Sequence, residues 1–494
     1  MKKLISMLLS AVMLLTVLSG CGGGGEEKTG SENNIDSSVA EDTGVRDEAA
    51  DYDVKGTVSV GINSYRNSDF EMLFNTFKSL YPNVTVEPIV FESSTDDATA
   101  YLTSQAMAGR PLPDIIFDDA GSLPTYIQNG WVYPLSSFIE GDSDFEKIPK
   151  NITDPFTYGG RLYALPQTLH SNMLLVNTDL VEELNVDLPE YDWNWDDFTA
   201  FIKACTNSEY SGVEDLSDQY NWGPGAMSDD CTIIGYNYES ESYDLTTVQT
   251  YVNYVLDIKK INGVEATSLK QNASSGVSDY EKKFGVAPGT NAAFIAGKVA
   301  GTLTGTWRYA YWMQQDLPFN WEMYPIPQSS PGRIPLHVDY CWMTTNVTED
   351  NADAAWEFLR FVTYSKTGNL ARLSSYDEDH ITSDMYNTYY IPCTTDEDVM
   401  EKFESLPYVT ETVLYLSDNF SNGYLGDPEK SVPGFESVEY SIIGKPAYES
   451  INGMYDFSSR MADAQSRANA EIKEYKKNFE TALAKFESEF TGRK

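Results

Sequence analysis

Residues 158–179 read YGGRLYALPQTLHSNMLLVNTD, and the fold turns on how this stretch divides. Tyr158-Gly159-Gly160-Arg161 has the small and polar residues of a tight turn, and Leu162-Tyr163-Ala164-Leu165 behind it is apolar enough for a buried strand. Pro166 predicts the end of that strand. Met173 to Val176 is a second short apolar run, which leaves Gln167 to Asn172 as a polar crossing between two buried strands. A crossing of this kind between two lobes is where ligands sit.

On its N-terminal side the chain alternates strand and helix. Thr57-Val58-Ser59-Val60-Gly61-Ile62 has strand periodicity. Ser68-Asp69-Phe70-Glu71 then reads as a capping box for a helix with Phe70, Leu73, Phe74, Phe77 and Leu80 on one face. Val84-Thr85-Val86 predicts a strand, Asp97 to Ala108 a helix, and Pro113 to Phe117 a third strand. The alternation argues a parallel α/β sheet, whose ligands bind beyond the carboxyl ends of the strands. Here those ends are Asn63 to Arg66 and Asp118 to Ser122. On the C-terminal side Leu245 to Ile261 and Asn351 to Tyr364 each show one apolar helical face. Ile472, Tyr475, Phe479, Leu483, Phe486 and Phe490 predict a long terminal helix packed on a lobe.

At 494 residues the chain exceeds one core, so two domains and tails are the expectation. A net charge of −41 repels phosphate backbones and anionic headgroups, which argues against nucleic acid as a partner and requires any membrane attachment to be covalent or apolar. Lys2 and Lys3 precede an apolar run, Leu4 to Val17, that is short for a membrane span and reads as a signal peptide. Leu18-Ser19-Gly20-Cys21 follows and resembles the lipobox of bacterial lipoproteins, which implies cleavage before Cys21 and lipidation of that residue. Residues 21–54 are rich in Gly, Ser and acidic side chains and read as a disordered tether. Cys205, Cys231, Cys341 and Cys393 allow three pairings and the spacing selects none. No metal-ligand spacing appears and no cofactor is expected.

FKSLYPNVTVEPIVF, then MAGRPLPDIIFDDAGSLPTYIQNGWVYPLSSFI, then the stretch quoted first, resemble the extracellular solute-binding proteins of the family that includes maltose-binding protein. The pieces WNWDDF, AAFIAGKVAGTLTGTW, WEMYPIP and ADAAWEFLRFVTYSKTGN follow in the family's order. The resemblance implies an α/β, two-lobe periplasmic-binding-protein-like fold (type II) with lobes joined by crossing strands. The boundaries read as 1–20 for the signal peptide, 21–54 for the tether, 55–163 and 327–373 for lobe one, and 164–326 and 374–494 for lobe two. It also implies a monomer, lipid-anchored at the extracellular face of the membrane, that captures a carbohydrate, in particular an oligosaccharide, and hands it to ABC transporter permeases.

Carried onto this sequence, the resemblance places Tyr65, Arg66, Asp118, Asp119, His170 and Asn172 at the cleft, and Trp307 of Gly305-Thr306-Trp307 against a sugar face. Asp339-Tyr340-Cys341-Trp342 departs from the small residues common in the family, and makes Asp339 and Trp342 further candidates, with Trp222. Sugars present apolar C–H faces and a hydroxyl rim, so aromatic rings and polar side chains together fit such a ligand. Each residue also has a plainer reading. Asp118 and Asp119 equally serve to cap a helix near Ser122, His170 to satisfy a hinge, and Trp195, at helical spacing with Phe198 and Ile202, to fill a core. Two other classes stay open: a sensory or adhesive lipoprotein that presents a bound solute to a receptor, and a glycosidase. The latter requires two carboxylates about 5 to 10 Å apart, which no motif marks.

Overall fold

The computed structural model describes residues 47–63, 67–91, 98–118, 120–271, 277–376 and 390–491. The expected signal peptide, Cys21 and most of the expected tether lie outside them, as do the site candidates Tyr65, Arg66 and Asp119. No described helix is long and apolar enough to cross a membrane.

Two sheets carry the architecture. In the larger, Gly56–Asn63 is flanked in parallel by Val84–Phe91 and Ile115–Asp118, as strand–helix alternation requires. The long strand Pro335–Met343 then lies antiparallel to Ile115–Asp118 on one side and to Leu165–His170 on the other, and pairs with Tyr424–Leu425 near its start. The smaller sheet runs Trp321–Pro325, Asn172–Asn177, Val299–Gly305, Ser211–Val213. Its central strand shows the two-residue period of a strand covered on both faces: Met173 and Leu175 join one hydrophobic core, Leu174 and Val176 the other.

The polar crossing is therefore shorter than the sequence suggests. Leu165–His170 is one fully buried strand that passes through Pro166, with Gln167 and Thr168 inside it. This strand pairs on one side only, so proline's missing N–H is tolerated, and its partner shifts register between Asp339 and Tyr340 opposite Pro166. The step from the larger sheet to the smaller is the single residue Ser171. Its hydroxyl donates to the Pro335 carbonyl at 2.7 Å on one side, and its N–H donates to the Thr306 hydroxyl at 3.1 Å on the other. A second passage, 326–334, returns the chain to the larger sheet. The third does not fall at 374, where lobe two resumes in the sequence reading. Glu397–Glu404 still packs against Lys366–Ser374 on the larger sheet's side, whereas Glu411–Asp418 lies against Trp321–Pro325 of the smaller sheet, with the Thr412 hydroxyl donating to the Met323 carbonyl at 2.7 Å. Tyr424–Leu425 returns to pair with Pro335–Met343, and Val432 is the first of the C-terminal run to enter the second core.

Helices with a single apolar face form where periodicity predicts them. Leu245–Lys259 is capped by Asp244 and buries Val248, Tyr251, Val252, Val255 and Ile258. Met461–Glu489 does more than pack on one lobe: Ala468 and Ile472 belong to the second core, Phe479 and Leu483 to the first.

The tether also ends earlier than 54. Tyr52 stacks on Tyr81 at 5.0 Å, and the Asp47 carboxylate accepts from the buried Arg360 guanidinium at 2.9 Å. Arg360 is otherwise held by Asp142 at 2.6 Å and Asp144 at 3.2 Å, so three acidic residues converge on one cation from the helix Ala352–Thr363. Burial penalises Asp142, but Arg360 outweighs it and holds that carboxyl below its ordinary range. Removing the guanidinium leaves buried carboxylates uncompensated, so Arg360→Ala is expected to lower unfolding free energy by about 3–5 kcal/mol, read as a urea midpoint shift at unchanged slope. A shift within experimental error counts against this node as a stabilising element.

Candidate functional site

The first passage, beside His170 and Asn172, and the third, at residues 426–430, meet at a cavity of about 560 Å³, within the range of small-molecule sites. Its floor is a chain of charged groups. The Asp427 carboxylate accepts from Lys430 Nζ and from the Val338 N–H, both at 2.9 Å, and pairs with the His337 ring through Nδ1. The other ring nitrogen of His337 faces Asn172 Oδ1 at 2.7 Å. Lys430 also lies 3.6 Å from Asp339 and donates to the Val338 carbonyl at 2.9 Å. Asp339 in turn lies 3.4 Å from His170 Nε2, whose Nδ1 meets the Thr306 hydroxyl at 3.2 Å. Gly426 makes this possible, because a Cβ there would stand 2.8 Å from the His337 ring.

The electrostatics follow from geometry. Burial pushes the Asp427 carboxyl up, but His337 and then Lys430 outweigh it and hold the group at about 2. Burial opposes the Lys430 charge, yet Asp427 and Asp339 raise its affinity for the proton above that of an ordinary lysine.

Trp307 stands over this floor. It sits on a turn, Thr306–Arg308, at the end of strand Val299–Gly305, and remains half-buried. Gly305 is in extended backbone (φ −149°), so the turn does not require it. The indole does: a Cβ on Gly305 would lie 2.3 Å from a ring carbon. The ring edge meets His337 with centroids 5.0 Å apart. Flat apolar surface next to hydrogen-bonding groups suits a ligand that has both an apolar face and a polar rim.

Of the candidates read from sequence, His170, Asn172, Trp222, Trp307 and Asp339 line the cavity together. Trp222 is nearly buried and donates its indole N–H to Gln219, so it forms wall more than platform. Asp118 does not reach the cavity: its Oδ1 accepts from the Gly121 N–H at 2.8 Å and shapes the turn into the next helix. Trp342 is a correction. It is fully buried in the larger sheet's core, stacked on Tyr126 at 5.0 Å, because it lies on the far side of the strand from the cavity. Sequence reasoning missed His337, Asp427 and Lys430, together with Glu429, Glu439 and Tyr311. The one local cue was Asp427-Pro428-Glu429-Lys430, acidic and proline residues at a helix start.

Residues 72–415 match the family described as bacterial extracellular solute-binding protein, and the chain belongs to that family. Solved structures share its fold at low identity. An ABC substrate-binding protein from Listeria monocytogenes in complex with cycloalternan aligns with a TM-score of 0.63 at 16% identity, covering 85% of this chain and 99% of that one. The sugar-binding protein MalE from Xanthomonas citri aligns at 0.62 and 13%, covering 86% and 99%. A sugar transporter protein from Rhizobium etli in an open conformation gives 0.62 and 17%, covering 85% and 99%.

Because the folded value for Asp427 lies below the 3.8 of the free group, its stabilisation is present above that value and is lost as pH falls toward about 2. The difference in unfolding free energy between wild type and Asp427→Asn should therefore narrow by on the order of 2 kcal/mol between about pH 5 and about pH 2. Parallel stability curves across that window would remove Asp427 from the ionic floor.

Proposed function

We propose that this protein is a lipid-anchored binding protein that captures a carbohydrate in the cavity over Asp427 and delivers it to the permease of an ABC importer. The observation that carries the reading is Trp307: a half-buried indole, seated on Gly305 and edged by His337, projects over polar groups in a cavity the size of one or two sugar rings. The ring supplies a flat surface for a pyranose face. Asn172, Asp339 and the residues around them supply the hydroxyl partners. Structures of the same fold hold cycloalternan, α-D-tagatose and D-mannitol, which supports a polyhydroxylated ligand. Residues Leu165–His170 and Asn172–Asn177 would form the first crossing between lobe one and lobe two, and a ligand touching both would hold the lobes closed with no cofactor.

The reading is of binding rather than catalysis. The family match and the structures of the same fold are of binding proteins, which supports this reading. Trp307→Ala is expected to weaken sugar binding by about 2 kcal/mol, roughly thirtyfold in Kd by titration calorimetry, while the denaturant midpoint hardly moves. Retained affinity, or a loss of about 3–5 kcal/mol in stability instead, would show that the indole is structural.

Anchoring rests on Leu18-Ser19-Gly20-Cys21 and the tether that follows. Cys21→Ser is expected to abolish palmitate labelling and move the protein from the membrane fraction to the soluble one. Equal labelling of mutant and wild type would exclude Cys21 as the acceptor.

A further inference from the structure

The wall beside the ionic floor carries a different kind of charge. Glu429, in the short helix Pro428–Ser431, and Glu439, the first residue of a π-helical turn Glu439–Gly444, both line the cavity. Turns of this kind displace one residue out of the helical register and are frequent at functional sites. Glu429 Oε2 is buried and has no hydrogen-bond partner among the described residues. Glu439 forms no ion pair among the described residues, and the charge that acts on it is another carboxylate, Glu436.

The surroundings supply no counter-charge that is not already engaged elsewhere. Glu429 faces Asp427, Lys430 and Glu439, and the buried tyrosines Tyr238 and Tyr243 lie against the same wall. Lys430 is committed to Asp427, Asp339 and the Val338 carbonyl. Arg308, the other permanent cation of the lining, is exposed and lies over the Tyr311 ring at 5.6 Å. The lining as a whole sets Asp218, Asp339, Asp427, Glu429 and Glu439 against Lys430 and Arg308. A carboxylate desolvated in such a wall is unfavourable until a cation joins it.

We propose that the ligand is a sugar bearing a protonated amine, with Glu429 and Glu439 as its counter-charges. The inference rests on the carbohydrate reading and narrows it. Neutral sugars and amino sugars present the same face to Trp307, so the aromatic ring does not distinguish them. The carboxylates do, because a charge-assisted hydrogen bond in a desolvated site is stronger than a neutral one. An acidic sugar meets repulsion from the same wall. Burial, then Glu436, pushes the Glu439 carboxyl up to about 7, and burial, then Asp427, raises Glu429 well above its ordinary range. An ammonium placed between them draws both down, so its binding releases protons and tightens as pH rises toward neutrality. A neutral sugar accepting from the protonated carboxyls shows the opposite slope.

The test uses the full chain and matched pairs that differ in one group: glucosamine and glucose, galactosamine and galactose, the β-1,4-linked glucosamine disaccharide and cellobiose. Calorimetry at about pH 7 should show the amino member of at least one pair binding about tenfold or more tightly, with that preference shrinking at about pH 5.5. Heats measured in buffers of different ionisation enthalpy should reveal proton release by the wild-type protein. Glu429→Gln and Glu439→Gln should each narrow the preference. The buffer comparison needs no variant, so the proposal stands or falls even where a substitution fails to fold. Equal or tighter binding of the neutral members overturns the amine assignment and leaves the carbohydrate reading intact. Failure of every sugar, with binding of a linear polyamine such as spermidine, overturns both.

Discussion

The Asp427 carboxylate is the group on which the centre of this molecule depends. It arrives on the third passage of chain between the sheets, bonds the backbone of the strand that follows the second passage through Val338, and reaches the first through His337 and Asn172. One buried anion thus ties three passages that are remote in sequence. Such an anion is destabilising alone, and taking it out of water costs several kcal/mol. Lys430 and His337 offset that cost, and the backbone N–H satisfies what remains. The consequence is a polar floor that can lie inside the protein at the junction of two sheets without collapsing into an apolar core.

The neighbouring Ser171 shows the same constraint on a smaller scale. A strand that leaves one sheet and enters another must break its ladder, and the broken backbone groups need partners. Thr306 and Pro335 supply them, one from each sheet. The crossing can therefore be one residue long, with buried strand on either side. The six-residue crossing, Gln167 to Asn172, that the sequence suggests at this point is mostly strand interior. Gln167 and Thr168 look like loop residues by composition, and only the pairing with Pro335–Met343 makes them ladder members.

What was legible in the sequence is what short-range periodicity encodes. Leu245–Lys259 repeats apolar residues at three and four and buries that face, whereas Ala352–Thr363, helical where the same spacing predicts it, is buried nearly all round, Glu357 and Arg360 included. The βαβ alternation near the N-terminus likewise declares a parallel sheet. The site was legible only in part because it is assembled from afar: Asn172 and His337 are separated by 165 positions, and His337 and Asp427 by 90. No window of sequence contains them together. The burial of Trp342 follows from strand geometry. Asp339 and Trp342 stand three apart on one strand, and in an unbroken strand such residues face opposite sides, so they do not both line one cavity. Asp47 shows the converse, a residue in a stretch of low apolar content that is nonetheless ordered because a buried arginine requires its charge.

The aromatic platform and the ionic floor are not independent. His337 touches both: its ring pairs with Asp427 and Asn172, and it meets the Trp307 indole edge-on. Gly305 beneath the indole leaves no space for a side chain, so the tryptophan has a fixed seat below and a fixed neighbour at its edge. A ring restrained in this way loses less rotamer freedom when a ligand stacks on it than a free surface tryptophan does. Affinity then comes from preorganisation as well as from contact area. The ion pairs below hold His337, His337 bounds the indole, and the indole offers its face already set. The charges that stabilise the junction between the sheets therefore also prepare its binding surface, and the same few residues serve fold and recognition together.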